Sequence, residues 1–392
     1  MSSLLIVAGE NSGERYGADV VREFKKRQPG FSFFGAGGKK MRREGVDLVF
    51  TVEDLSAIGI FEVVAKIPHI MNLAKRLEDE IEVRKPLGAV LIDSPDFNLR
   101  LARKLKKRGT PVLYYIGPTV WAWRSGRLKT IKRLVTRMCL IFPFERELYE
   151  KHGISSVFVG HPLKQKVRTQ LSREEFFRKH SFPRGAKIVA LLPGSRRTEL
   201  KNHMPILRQA VRRMKTAFPV HFFLLLAESL TRNDLYPFIG PGDGNIQVLD
   251  SDGYDAIAYS DLALSACGTA NLEAALLGTP FVAFYRVSPL TYYPFRRLLK
   301  IRDYSIVNIL AGKRVVPELI QRGFSAKRLA EEAERILFSE EIKARMREEF
   351  ARIASNLGRE KASENVAREL ERVILPGVPR KPGPPGEPVR LS

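Results

Sequence analysis

The sequence predicts an α/β protein built from two similar open-sheet halves. Its length of 392 residues is too great for one compact core, at about one domain per ~150 residues. Short apolar runs alternate with longer stretches of helical period, the pattern of buried parallel strands joined by right-handed helical crossovers. The cycle then restarts after a polar, Lys/Arg-rich segment, Lys164–Lys187, which carries Pro183-Arg184-Gly185.

In the first half, Leu4–Ala8, Ser32–Gly35, Ala89–Ile92, Val112–Ile116, Met138–Phe142 and Val157–Val159 read as strands. In the second, Ile188–Leu192, Phe222–Leu226, Ile246–Leu249, Leu262–Ser265 and Pro280–Phe284 do so. Helical period resumes from Ala326 to Leu375. The Pro/Gly-rich stretch Gly377–Ser392 has no apolar period and is expected to be a disordered tail. The expected division is 1–165, 166–345, C-terminal helices over 346–376, and the tail over 377–392.

Composition limits the function classes. The chain is 44% hydrophobic and 28% charged, which suits a folded protein. Its 66 Lys and Arg against 43 Asp and Glu give +23, an excess that favours an anionic partner. From Arg100 to Arg137 there are twelve basic residues and no acid. RNA would be drawn to such a stretch, but the aromatic-studded sheet of an RNA-recognition module is missing. Two cysteines exclude a disulfide framework and a Cys-rich zinc site. No apolar run reaches the ~20 residues of a spanning helix, and no leader pattern opens the chain. A place in the cytosol or on the cytosolic face of a membrane is expected. One segment, Ala57–Leu77, carries more apolar residues than one helical stripe needs, and Pro68 interrupts it. It is either a helix buried between neighbours or an apolar patch that dips into a membrane.

Four strand-to-helix turns carry candidate chemistry. Gly9-Glu10-Asn11-Ser12-Gly13 can place main-chain N–H groups at a helix start, without the dinucleotide fingerprint. Asp93 and Asp96 follow a strand, where ligands collect in open α/β sheets; one suits a proton acceptor and the other a helix cap. Gly194-Ser195-Arg196-Arg197 is a plausible phosphate cradle, because arginine offers phosphate a two-pronged fork. Gly268-Thr269 opens another helix. Glu273, a turn further on, could accept from vicinal hydroxyls, although a Thr cap with an acid one turn in is the plainer reading. No metal set emerges, since the six His form no zinc pattern, and no cofactor is expected.

In their order along the chain, AGENSGE, LIDSPDFN, GPTVWAW, FPFE, VGHPL, LPGSRRTE, CGTANLE, FYR and VNILAGKRVVPEL resemble the lipid-A-disaccharide synthase family. The resemblance runs from about Leu4 to Leu375. It implies a GT-B fold, with two Rossmann-like domains facing across a cleft. It implies a metal-independent, inverting transfer of 2,3-diacylglucosamine from its UDP derivative to 2,3-diacylglucosamine 1-phosphate, giving a β(1→6) disaccharide 1-phosphate and UDP. Asp93 would then be the general base. Glu10, Ser12, Gly13, Asp96 and Asn98 would serve the acceptor. Gly194, Ser195, Arg196, Gly268, Thr269, Glu273, Asn308 and Glu318 would serve the UDP-sugar. Phe61, Val63, Val64, Ile67, Ile70 and Met71 would dock on the anionic inner membrane, making the protein peripheral there. Some members of the family exchange C-terminal segments between subunits, so the C-terminal helices are expected either to fold back on their own N-terminal domain or to swap within a homodimer.

The chain departs from the family pattern at Glu14, Cys267, Gly117 and Thr119, and in its tail. None of these touches Asp93 or Arg196. The alternative is another GT-B enzyme acting on UDP-GlcNAc-type donors, such as a UDP-sugar epimerase, which has no use for the Ala57–Leu77 patch. A nucleic-acid-binding protein would leave LIDSPDF and LPGSR unexplained.

Overall fold

The structure is a computed structural model describing residues 2–52, 54, 63–183, 185, 187–217, 220–240, 246–296, 299, 301–358 and 361–375. The expected tail, 377–392, lies outside the described residues.

Two parallel sheets form. The first comprises β1 (Ser2–Ala8), β2 (Phe31–Gly37), β3 (Val46–Thr51), β4 (Ala89–Ile92), β5 (Val112–Tyr115), β6 (Arg137–Leu140) and β7 (Ser156–Phe158). The second comprises β8 (Lys187–Leu192), β9 (Val220–Leu225), β10 (Ile246–Leu249), β11 (Leu262–Ala266), β12 (Phe281–Tyr285) and β13 (Glu318–Ile320). Their spatial orders are β3-β2-β1-β4-β5-β6-β7 and β10-β9-β8-β11-β12-β13. The strands expected from sequence all appear, with ends shifted by a residue or two. The two edge strands β3 and β13 are additions that apolar runs did not reveal. Val46–Thr51 is interrupted by Asp47, and Glu318–Ile320 is only three residues long.

The helices that shape the cleft are α1 (Asn11–Arg27), α2 (Val63–Arg84), α3 (Pro95–Lys107), α4 (Arg127–Leu134), α5 (Arg197–Ala217), α6 (Thr269–Leu276) and α7 (Ala362–Ile374). Helix α3 shows why they form. Pro95 starts it where its missing N–H costs nothing, Asp96 lies in its first turn, and Lys104, Lys106 and Lys107 lie in its last turn, so both ends suit the helix dipole. Leu99, Ala102 and Leu105 supply its buried stripe.

Strand alternation divides the core around the first sheet. Leu5 and Val7 face one apolar layer with Leu77 of α2, Leu101 of α3 and Ile131 of α4. Leu4 and Ile6 face the other with Val21 of α1 and Leu370 of α7, and that layer continues into the second half. The helix Glu340–Asn356 stays on the second sheet, where Phe350 stacks on Phe281 at 5.6 Å. The chain then crosses back. His161 N–H donates to Leu357 O (2.9 Å), and Asn365 Nδ2 donates to Val159 O (3.0 Å). Helix α7 thus closes against α1, β5 and β6 of its own chain.

In each sheet the strand order reverses between two central neighbours: β1 and β4 in the first, β8 and β11 in the second. The crevice beyond the carboxyl ends at such a reversal is where open α/β sheets bind ligands. All four turns singled out in the sequence lie at these reversals.

Candidate active site

Asp93 follows β4 directly, in a backbone conformation that L-residues seldom adopt. Its φ is 51°, and Ser94 follows at 46°. Consecutive left-handed residues cost on the order of 1 kcal/mol each and need support. Tyr114 on β5 donates its hydroxyl hydrogen to Asp93 O (2.6 Å). Asn98, wholly buried in α3, donates from Nδ2 to Asp93 O (2.8 Å) and Ile92 O (3.1 Å). Ser94 N–H donates to Asp93 Oδ1 (2.8 Å). A Cβ added at Gly9 would lie 2.2 Å from Ser94 Cβ, so the turns after β1 and β4 touch. Glu10 caps α1 from an extended backbone, and Gly13 packs against Ile92 at the end of β4.

Burial raises the Asp93 pKa to about 6, and the Glu10 charge adds to the rise. A carboxylate poised there can accept a proton near neutral pH. Asp96, in contrast, points outward and pairs with Arg124 and Arg127. The Ser12 side chain lies outside the described residues.

In the second sheet, Gly194 takes a φ of 124°, and a Cβ there would meet Glu199 Oε2 at 2.4 Å. Glu199 holds the turn, because Ser195 N–H donates to its Oε2 (2.8 Å). Ser229 Oγ donates to Ser195 O (2.7 Å). The Arg196 side chain remains 69% exposed, with Glu199 no closer than 3.8 Å, so it is free to reach a ligand. Gly268, not Thr269, occupies the cap of α6, with Thr269 as first helical residue. Both are exposed, and none of the described atoms lies within 4 Å of a Cβ built on Gly268. Behind them Asn271 Nδ2 donates to Ser265 Oγ (2.8 Å) and Ala266 O (3.0 Å). Asn98 and Asn271 thus hold equivalent strand ends in the two halves.

Glu273 accepts from the Tyr254 hydroxyl at 3.4 Å, and burial raises its pKa. Its charge also reaches Tyr16 of α1 and helps to raise the phenol's pKa. Arg15 of α1 pairs with Glu228 after β9, which ties the two halves at the same mouth. Asn308 and Glu318 are engaged with each other. Asn308 Nδ2 donates to Glu318 Oε1 (2.8 Å), and Glu318 also accepts from the N–H groups of Tyr304 and Ser305, both at 2.9 Å. They brace a loop beside β13.

Two supporting residues carried no signal in the motifs. One is Tyr114, described above. The other is His203 of α5, wholly buried beside Phe284 and Phe324. Its Nδ1–H donates to Pro193 O (2.7 Å), and its Nε2 accepts from Arg286 N–H (3.0 Å). The PGSR turn and the FYR turn are joined through one imidazole. Burial lowers its pKa, which keeps it neutral as this pattern requires.

Within α2, Ile70 is half-buried and Met71 is 64% exposed. Phe61 and the side chains of Val63, Val64 and Ile67 lie outside the described residues. Among the described residues, no helix is long and apolar enough to cross a membrane. Likewise no group of three or more His, Cys, Asp or Glu could hold a metal ion.

A model of the family described as lipid-A-disaccharide synthetase matches residues 4–370. The lipid-A-disaccharide synthase of Geobacter sulfurreducens is 42% identical over 93% of this chain and 95% of that protein. That of Solibacter usitatus is 40% identical over 95% and 98%. Among solved structures, the S. aureus MnaA–UDP co-structure aligns with a TM-score of 0.67 at 13% identity, covering 98% of this chain and all of that one (100%). The UDP-GlcNAc 2-epimerase from Neisseria meningitidis bound to UDP-GlcNAc aligns with a TM-score of 0.64 at 12% identity, over 96% and 100%. These structural likenesses bear on fold alone, and the fold is the GT-B pairing of two Rossmann-like halves. With the family model spanning nearly the whole chain and relatives near 40% identity, the chain belongs to the lipid-A-disaccharide synthase family.

Proposed function

We propose that the chain transfers 2,3-diacylglucosamine from its UDP derivative to the 6-hydroxyl of 2,3-diacylglucosamine 1-phosphate, forming the β(1→6) disaccharide 1-phosphate and UDP. The observation that carries the residue roles is Asp93: a buried carboxylate on a braced turn, with a pKa near 6, at the reversal of the first sheet. Asp93 takes the proton of the 6-hydroxyl as that oxygen attacks the anomeric carbon. The bond from that carbon to the diphosphate breaks, and its electron pair leaves with UDP. One displacement inverts the anomeric centre.

The leaving group gains negative charge as it departs. Arg196 and the exposed N–H groups at the start of α6 meet that charge, and preorganised donors of this kind are worth several kcal/mol, about 3 for one oxyanion-hole donor. Glu273 accepts from the ribose hydroxyls. Gly194 and Ser195 shape the turn that presents Arg196. Glu10 and Gly13 border the acceptor beside Asp93, while Asn98 acts on it through the Asp93 main chain. Asn308 and Glu318 support the donor side by bracing their loop.

Leu73, Leu77 and Ile81 seat α2 on the same layer of the first sheet as the basic helices α3 and α4, and Met71 of the same helix is exposed. That arrangement supports docking on an anionic membrane surface. Flotation with anionic vesicles tests it: Met71→Asp should reduce bound protein, and undiminished binding would count against it.

The reaction is tested by mixing both lipids in detergent micelles with purified protein and EDTA, and following UDP and disaccharide. Disaccharide with a β(1→6) linkage is expected. UDP release with 2-epimerised sugar and no disaccharide would point to the epimerase reading instead.

A further inference from the structure

Asp96 is held by two arginines at once. Its Oδ1 pairs with Arg127 and, at 3.4 Å, with Arg124. The carboxylate is 75% exposed, whereas Arg127 is 15% exposed and Arg124 46%. Both guanidiniums lie over the Trp123 ring, at 4.4 Å for Arg124 and 5.9 Å for Arg127. The Trp123 indole N–H is fixed on Thr119 Oγ1 (3.1 Å). Arg124 takes a left-handed backbone, with φ 50°. The cations are therefore built in, and the anion is the loose member.

Two guanidiniums on one carboxylate oxygen leave a positive charge and several N–H donors over. A phosphate monoester, with about −1.5 to −2 charge and three acceptor oxygens, fits them better than a single carboxylate does. An exposed pair of this kind is worth only about 0–1 kcal/mol, so Asp96 can yield. The place is also right. Trp123 and the arginines follow β5, next to β4, and parallel neighbours lie about 4.8 Å apart. Tyr114, whose hydroxyl donates to Asp93 O, also lies in the field of Arg127.

We propose that Arg124 and Arg127, braced on Trp123, bind the phosphate of the acceptor sugar while its 6-hydroxyl lies at Asp93. This rests on the transfer reaction proposed above. The test compares the phosphorylated acceptor with its dephosphorylated counterpart in neutral detergent micelles, with and without anionic phospholipid. The read-out is the ratio of kcat/KM for the two acceptors. In wild type the phosphate should be favoured. In Arg124→Gln/Arg127→Gln that ratio should fall at least tenfold, through KM, whether or not phospholipid is present. Arg124→Gln alone, at the more exposed position, should move it in the same direction and covers the case in which the double variant does not fold.

An unchanged ratio with both acceptors equally slowed would mean a merely structural role and overturn the proposal. A ratio that moves only with anionic phospholipid would assign the arginines to lipid headgroups and overturn it too. A folded wild type that makes no disaccharide from either acceptor is a separate failure, of the transfer reaction itself.

Discussion

The Tyr114 hydroxyl donates to the main-chain oxygen of Asp93 across 2.6 Å. It reaches there from the neighbouring strand, fully buried. The bond braces a residue whose own backbone preference opposes its conformation. Tyr114→Phe removes the bond and little else. A net hydrogen bond is worth about 1 kcal/mol, so kcat should fall roughly five- to tenfold with donor KM little changed. Steady-state kinetics with varied donor check this.

Asp93 has its pKa raised to about 6 from 3.8. The folded protein therefore binds more protons here than the unfolded chain between those values, and stability falls as pH rises through that window. At pH 7 the ionised group is a net cost. Asp93→Asn should remove it, stabilising the protein by about 1–3 kcal/mol at pH 7 while abolishing transfer. Thermal melts at pH 4 and pH 7 should show the gain only at the higher pH. In wild type, log kcat/KM should turn down with unit slope below about pH 6.

Much of the fold was legible because buried parallel strands are continuous apolar runs. Ala89–Ile92 and Ile246–Leu249 have the limits that the sequence pattern suggested. β3 was hidden because Asp47 breaks its run, and an edge strand can expose such a residue. At the site, the turns were readable from Gly, Asp and Arg after strands. The braces were not. Tyr114 looks like core filling, and His203 lies mid-helix with no motif around it. Their partners are main-chain atoms distant in sequence, which leave no pattern. Asn98 and Asn271 each stand five residues after the carbonyl they hold, Asp93 O and Ala266 O, which is a local trace of this bracing.

Two glycines should respond differently to the same change. A Cβ at Gly9 would fall 2.2 Å from Ser94 Cβ, whereas none of the described atoms lies within 4 Å of one at Gly268. Gly9→Ala should lower the melting temperature and cut kcat, because the Asp93 turn must shift. Gly268→Ala should melt normally but raise donor KM, since the added methyl stands where the diphosphate approaches the α6 start. Melting curves and donor titrations separate the two.

His203→Ala leaves Pro193 O and Arg286 N–H without their partner. Each buried orphan costs about 1–3 kcal/mol. Loss of stability should be accompanied by a rise in donor KM larger than the fall in kcat, as the PGSR turn loosens. The acceptor KM, set at the other sheet, should hold. Unchanged donor KM would argue against the link between the turns.

The most direct measurement is single-turnover transfer with Asp93→Ala and bound UDP-sugar, beside wild type and Arg196→Ala. Asp93→Ala is expected to bind donor normally and to form disaccharide at least a hundredfold more slowly. Arg196→Ala is expected to lose both affinity for donor and rate. Disaccharide formed by Asp93→Ala at the wild-type rate would contradict the role given to Asp93 and move the proton acceptor elsewhere, to Glu10 first.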